Sequence, residues 1–319
     1  MPPKSFRVVR DSAPDDALRG AVVALGNFDG VHRGHRAVIA AALDRAKALG
    51  RPAAALTFEP HPRDFFNPTA PLFRLTDEAA KLRLLAASGL DGAIVLTFDA
   101  ALAGLSAAEF VDRILVKKFA VSGAVIGFNF HFGSSRGGSP DFLKAEGEQR
   151  GFAVDVVPRF EYRGHPVSSH PIRVALAAGR VAEAADLLGF PWFVTGEVIH
   201  GDKRGRELGF PTANLRLDAG CGLRHGIYAV RAGFDGRRHD GVASFGRRPM
   251  FDTGAVLLEV FLFDFAGDIY GRTIDVAFID WIRDEQMFAS TDDLVRQMNN
   301  DSRVAREMLA RAGDIFPPI

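Results

Sequence analysis

One change of hydrophobic pattern, near Phe190-Pro191, restricts this chain more than any other feature. Upstream of it, short β-type runs at 21–25, 53–58, 93–98, 124–128 and 153–157 alternate with amphipathic helical stretches. The first helix is predicted from about Gly34 to Leu49, where Gly50 and Pro52 stop it. A second follows Thr76 as its cap, with Asp77 and Glu78 in the first turn. A third runs from the Ser106/Glu109 capping box to about Phe119, and a fourth covers 139–150. Strands alternating with helices demand right-handed crossovers and a parallel sheet covered on both faces. Such sheets take ligands outside the carboxyl ends of their strands. After a helical stretch at 168–189 the pattern changes. Strand-like runs at 194–199, 227–232, 240–245, 256–265 and 273–279 follow one another across Gly-, Asp- and Arg-rich turns. That succession suits an antiparallel barrel. Residues 292–311 read as a closing helix with an apolar stripe of Leu294, Val295, Met298, Val304 and Met308.

A length of 319 residues, at about 150 per domain, agrees with two domains, predicted at 1–188 and 189–319. Equal numbers of basic and acidic side chains, 39 each, argue against a general nucleic-acid binder. A lone cysteine, Cys221, leaves no intrachain disulfide and suits a reducing, cytoplasmic setting. No apolar run approaches the roughly 18 residues of a membrane span. Residues 1–20 mix Lys4, Arg7, Arg10, Asp11 and Asp15 without an apolar centre, unlike a signal peptide. Phenylalanine dominates the aromatics, 27 against 3 Tyr and 2 Trp. Phe serves both as core and as a stacking surface for flat ligands.

The first predicted strand runs into Gly26-Asn27-Phe28-Asp29-Gly30-Val31-His32-Arg33-Gly34-His35. Glycines let the backbone approach a bulky ligand, and a helix start aims N–H groups at it. His32 and His35 fall on one side of the first turn, where they can hydrogen-bond phosphate oxygens and stabilise developing charge. No cysteine or third histidine clusters with them, which argues against zinc. Gly133-Ser134-Ser135-Arg136-Gly137 satisfies the hydrolase nucleophile pattern only formally; loop residues separate it from the preceding strand, and a mobile ligand-covering loop is the better reading.

In the second half, Gly201, Gly205 and Gly209 recur every four residues among Lys203, Arg204 and Arg206, a pattern for embracing phosphates. After Phe210-Pro211, Thr212 and Asn214 stand one strand repeat apart, so both oxygens can face one magnesium ion. Glu259 interrupts an apolar strand, a costly placement unless it is paired, for instance with Arg283, or used as a general base.

The string GNFDGVHRGH, followed in order by Phe58-Glu59-Pro60-His61-Pro62, Gly127-Phe128-Asn129-Phe130-His131 and Ser168-Ser169-His170-Pro171-Ile172-Arg173, resembles the HxGH nucleotidyltransferases. Gly209-Phe210-Pro211-Thr212-Ala213-Asn214, Gly226-Ile227-Tyr228, Glu259-Val260-Phe261 and Ile282-Arg283-Asp284-Glu285 are similar to the riboflavin kinase module. Both sets in one chain resemble the prokaryotic bifunctional riboflavin kinase/FAD synthetases, over about 22–308. The resemblance implies an α/β Rossmann-like nucleotidyltransferase domain with a parallel sheet, then a six-stranded antiparallel β-barrel with a closing helix. It implies phosphorylation of riboflavin to FMN by ATP with Mg²⁺, then adenylylation of FMN by ATP to FAD and pyrophosphate. His32, His35 and Arg173 would be catalytic in the second step. Gly26, Asn27, Phe28, Asp29, Gly30, Asn129, Ser168 and Ser169 would bind its ATP. Glu259 would be the kinase base. Gly201, Lys203, Gly205, Arg206, Gly209, Pro211, Thr212, Asn214, Arg283, Glu285 and Phe288 would bind ATP and flavin, with Thr212 and Asn214 on Mg²⁺. Partners are small molecules, with no nucleic acid or membrane, and the oligomeric state stays open. His170-Pro171 depart from the family's usual Thr-x, though Pro fits a first helical turn. That departure motivates the alternative, a riboflavin kinase or flavin-binding regulator with a degenerate adenylyltransferase site.

Overall fold

The structure, a computed structural model, describes residues 5–12, 17–201, 205, 208–247 and 256–319. It divides into two compact units: the described residues up to Leu72, Thr76–Ser168 and Ile319 form one, Phe73–Leu75 with Ser169–Pro318 the other.

The first unit is a six-stranded parallel sheet. Its strands are β1 (Arg7–Arg10), β2 (Val22–Leu25), β3 (Ala53–Glu59), β4 (Gly92–Thr97), β5 (Gly123–Gly127) and β6 (Ala153–Val157). They lie in the order β1-β4-β3-β2-β5-β6. The predicted strands are all present, and the short edge strand β1 is an addition. β2 is buried at all four residues and β3 at six of seven, as expected of strands covered on both faces. Helices α1 (Arg33–Leu49), α2 (Pro62–Phe66), α3 (Glu78–Ala87), α4 (Ala100–Gly104), α5 (Ala107–Glu109) and α6 (Pro140–Arg150) supply the connections. A two-stranded hairpin, β7 (Glu161–Tyr162) and β8 (His165–Pro166), follows β6.

From β2 the chain steps outward through β3 and β4, then crosses back to β5 and β6. The order therefore reverses between β2 and β5, the switch point beyond whose carboxyl ends sheets of this kind take their ligands. Gly26–His35 leaves β2 at that point, and Phe128-Asn129 leaves β5.

One expectation about this unit needs correction, and one helix that runs as predicted is wound differently. Asp77, not Thr76, caps α3, accepting from the Ala80 N–H at 2.7 Å; Thr76 is occupied elsewhere, as described below. The helix opened by the Ser106/Glu109 capping box continues as a π-helix over Phe110–Lys118, and that wider winding puts Phe110, Val111 and Leu115 in the core.

The second unit opens with α7 (Ser169–Ala177) and α8 (Val181–Leu188). Pro171 lies inside the first turn of α7, where its missing N–H costs nothing. Six antiparallel strands then close a barrel: β9 (Phe193–Ile199), β10 (Thr212–Leu217), β11 (Gly226–Phe234), β12 (Arg237–Arg247), β13 (Val256–Leu262) and β14 (Thr273–Arg283). Their cyclic order is β10-β13-β12-β11-β14-β9, with β9 paired to β10 at the seam. β10 is absent from the apolar runs of the sequence because Thr212, Asn214 and Arg216 interrupt its hydrophobicity. Helix α9 (Thr291–Ala312) packs on β11, β12 and β14. Its buried line is Asp301, Ala305 and Leu309, and the predicted stripe forms half-buried flanks to that line. Beyond α9, the buried guanidinium of Arg231 binds Asp240 (2.7 Å) and the carbonyls of Gly313 (2.8 Å) and Ile315 (3.0 Å). Phe316 fills the space a side chain would need at Gly233.

Candidate functional sites

In the first unit, Gly26–His35 is a turn held under backbone strain. Phe28 (φ 52°) and Val31 (φ 39°) adopt left-handed conformations that L side chains resist, with Gly30 (φ 84°) between them. Neighbours hold the turn in place. Asp29, buried, accepts from the Thr76 N–H at 3.1 Å, and the Gly30 N–H donates to Thr76 Oγ1 at 3.0 Å. The Thr57 hydroxyl donates to the Asn27 carbonyl at 3.1 Å.

His32 is the N-cap of α1, and its Nδ1 accepts from the His35 N–H at 3.2 Å. The two imidazoles stack with centroids 3.6 Å apart and planes inclined 15°. Phe28 meets His35 edge-on at 5.3 Å. Gly34 leaves room for this stack: a Cβ there would crowd the His32 ring and the Val167 carbonyl, both at 3.2 Å. Arg33 and Arg36 join the first turn of α1. Arg33 lies 4.3 Å over the Tyr162 ring, and burial, with the neighbouring Arg33 charge, lowers the Arg36 pKa. Asn129 lies in the loop after β5, and its carbonyl is 3.0 Å from His131 Nδ1. Ser168 ends the first unit. Ser169 and Arg173 stand on α7 of the second, where Arg173 Nε donates to the Phe73 carbonyl at 2.6 Å.

The second unit carries a cavity of about 460 Å³ against β10, β12 and β13, roofed by α9 and the 283–288 segment. Strand register sets its floor: Glu259 lies between Asn214 on one side and Ser244 on the other. Along β13, Leu258 and Val260 are fully buried, whereas Glu259 and Phe261 line the cavity. The carboxylate that interrupts the apolar run therefore belongs to the cavity face, not to the core.

Thr212, Asn214, Gly201, Gly205, Pro211, Arg283, Glu285 and Phe288 line the same space, and Tyr270 adds to it. Gly209 takes a left-handed turn (φ 86°) just before Pro211. Lys203 and Arg206 lie outside the described residues. Gly201 is pressed against the Asn214 amide, and Asn214 Oδ1 is buried without a hydrogen-bond partner among the described residues. Arg283 pairs bidentately with Asp301, at 2.9 Å from Nε and 2.6 Å from Nη2. Its ring neighbour is Phe288, 5.8 Å away. Burial raises the Glu285 pKa; His225 and Arg283 oppose the rise and Glu259 adds to it. Among the described residues no group of three His, Cys, Asp or Glu could hold a metal on its own.

Sequence reasoning missed the residues behind the first turn. Lys81 is fully buried, on the same face of α3 as Ala80, Leu84 and Leu85. A lysine on an apolar helical face was the available signal.

Residues 15–171 match the FAD synthetase family and residues 188–309 the riboflavin kinase family. A bifunctional riboflavin kinase/FMN adenylyltransferase of Pseudomonas fluorescens is 44% identical over 293 residues, 92% of this chain and 94% of that one. Its counterpart in Escherichia coli (strain K12) is 40% identical over 289 residues, 90% and 92% of the two chains. A crystal structure of a protein described as a macrolide-efflux protein from Streptococcus pneumoniae superposes with a TM-score of 0.84 at 34% identity, over 94% of this chain and 98% of that one. Among the described residues, no helix here is long and apolar enough to cross a membrane. With two family matches in series and relatives aligned over nine-tenths of its length, the chain belongs to the bifunctional riboflavin kinase/FMN adenylyltransferases.

Proposed function

We propose that the barrel cavity phosphorylates riboflavin and that the strained turn of the first unit adenylylates the resulting FMN, with the functional division at 188/189. The riboflavin kinase match begins at 188, one residue before that division, and the FAD synthetase match ends upstream of it at 171. The observation that carries the kinase assignment is the row Asn214–Glu259–Ser244 across three strands facing one cavity. Glu259 accepts the proton of the ribityl 5′-hydroxyl as its oxygen bonds to the γ-phosphorus of ATP; the bond to the β-phosphate oxygen breaks and ADP leaves. Mg²⁺ fits beside it. Asn214 Oδ1, buried and without a hydrogen-bond partner among the described residues, and the Thr212 hydroxyl are oxygen donors suited to that hard cation, which would neutralise phosphate charge there. Gly201, Gly205 and Pro211 shape the wall for the nucleotide, and the resemblance adds Gly209, Lys203 and Arg206 as its ligands, the last two outside the described residues. Arg283, fixed by Asp301, Glu285 and Phe288 bound the flavin side.

In the second step, an FMN phosphate oxygen attacks the α-phosphorus of ATP and pyrophosphate leaves. Because the helix cap uses His32 Nδ1 as an acceptor, the neutral ring carries its proton on Nε2, which donates to phosphate. The stacked His35 shares that role and Gly26–Gly30 with Asn129 cradle the nucleotide; for Ser168, Ser169 and Arg173 the family resemblance alone carries the assignment to its phosphates. The chemistry is positioning and charge stabilisation, with no covalent intermediate. A cytoplasmic setting suits the single Cys221 and the ATP requirement.

The test mixes the protein with riboflavin, ATP and Mg²⁺ and resolves the flavins by chromatography. FMN is expected to rise first and FAD to follow. FMN without FAD overturns the assignment of the first unit, and neither product overturns both.

A further inference from the structure

Lys81 has no part in the steps above, yet its placement is the most demanding in the first unit. Its side chain is 0% exposed on α3, beneath the carboxyl end of β3. Burying an ammonium is costly unless each proton finds an acceptor. Here three do: Glu59 Oε1 at 2.5 Å, Thr57 Oγ1 at 3.2 Å and the Phe58 carbonyl at 3.4 Å. The same Thr57 hydroxyl donates to the Asn27 carbonyl. A hydroxyl that accepts from a cation is polarised into a stronger donor. The buried charge therefore acts, through one oxygen, on the peptide joining Asn27 to Phe28, where the backbone enters its left-handed stretch.

In a trans peptide the C=O and N–H point in opposite directions. Fixing the Asn27 oxygen toward Thr57 thus fixes the Phe28 N–H in the opposite sense. We propose that Lys81 is a positioning residue for adenylyl transfer. Acting through Thr57, it holds the Asn27–Phe28 peptide in the strained orientation that presents this turn to the triphosphate. Thr76, five residues earlier, holds Asp29 and Gly30. One short segment at the start of α3 therefore grips the turn twice. This inference rests on the reading of Gly26–His35 as the adenylyl-transfer site.

The test measures FAD formation from FMN, ATP and Mg²⁺, with FMN formation from riboflavin on the same preparations as the control for an intact second unit. Thr57→Val keeps the size of the side chain and removes the link to Asn27. It is expected to lower kcat for FAD formation by about tenfold to a hundredfold, the scale of a misplaced reacting group, with KM for FMN within about twofold. Thr57→Ser restores the hydroxyl and should restore the rate. Lys81→Met should show the same kcat-specific loss; if that variant does not fold, the Thr57 pair decides alone. Thr57→Val at the wild-type kcat, or Thr57→Ser as impaired as Thr57→Val, overturns the proposal. His35→Asn separates the two levels. If it abolishes FAD formation while Thr57→Val does not, Lys81's role fails and the site stands; if it leaves FAD formation intact, the site reading fails and the inference with it.

Discussion

The two proposed sites would take the same kind of ligand, a nucleoside triphosphate, with different parts of the polypeptide. In the first unit the working surface is a contiguous turn of backbone. Its left-handed residues Phe28, Gly30 and Val31 are kept in place by Thr57 and Thr76 from other elements. In the barrel the working surface is made of side chains spread over β10, β12 and β13, brought side by side by strand register. Strain at a turn must be maintained from behind, so the first site is vulnerable at residues remote from its ligand. A cavity assembled from side chains on a closed barrel is vulnerable chiefly at the side chains themselves.

The largest expected effect tests the barrel half of that contrast. Glu259→Gln should reduce FMN formation from riboflavin by about a hundredfold or more, while FMN supplied directly is still converted to FAD. Retained FMN formation would mean that side-chain chemistry at this position is not what drives the kinase. The next tests whether His32 acts as a side chain or as a helix cap. His32→Ala and His32→Asn should both lower FAD formation by about a hundredfold, but only Ala should also cost about 1 kcal/mol of stability in the first unit, since Asn keeps a cap acceptor. If Asn restores the rate, the imidazole matters only for holding α1.

The smallest effect concerns Glu285. Its pKa is raised by burial, so the folded state holds that proton more tightly than the unfolded chain does. Its charge is therefore a burden above the raised pKa, and the burden is relieved as the pH falls through it toward the ordinary 4.5. Because Glu285 is exposed, water screens most of that burden, and Glu285→Gln should raise the second unit's Tm by no more than about a degree at pH 7, with the difference fading below pH ~4. An equal gain at every pH would assign the effect to packing.

That same contrast decided what could be read from the sequence. The first site is consecutive, so Gly26–His35 announces glycine freedom, a helix start and two imidazoles within ten residues. Strand-helix alternation likewise places that turn at a carboxyl end of the sheet. The supports stayed hidden because they lie far along the chain: Thr76 looks like a cap until Asp77 takes that part, and Lys81 is one charge in a helix. In the barrel, Glu259 is legible as a polar interruption of an apolar run, and Thr212 and Asn214 as two oxygens one repeat apart after Phe210-Pro211. Their meeting is not, because it depends on the pairing of β10 with β13, and β10 is too polar to read as a strand alone. Asp301 shows the same limit. On the sequence it breaks a helical stripe, and only its bidentate hold on Arg283 explains a carboxylate there.

Arg231 has a practical consequence for anyone preparing this protein. Its guanidinium is anchored by two main-chain oxygens from the last few residues, Gly313 and Ile315, and Phe316 plugs the gap over Gly233. A recombinant version trimmed after α9 would leave the Arg231 guanidinium with Asp240 but without its two carbonyl acceptors, and open a notch beside it. Shortening the chain at this end is thus a core mutation in disguise, and an affinity handle belongs beyond Ile319 rather than in place of the residues before it.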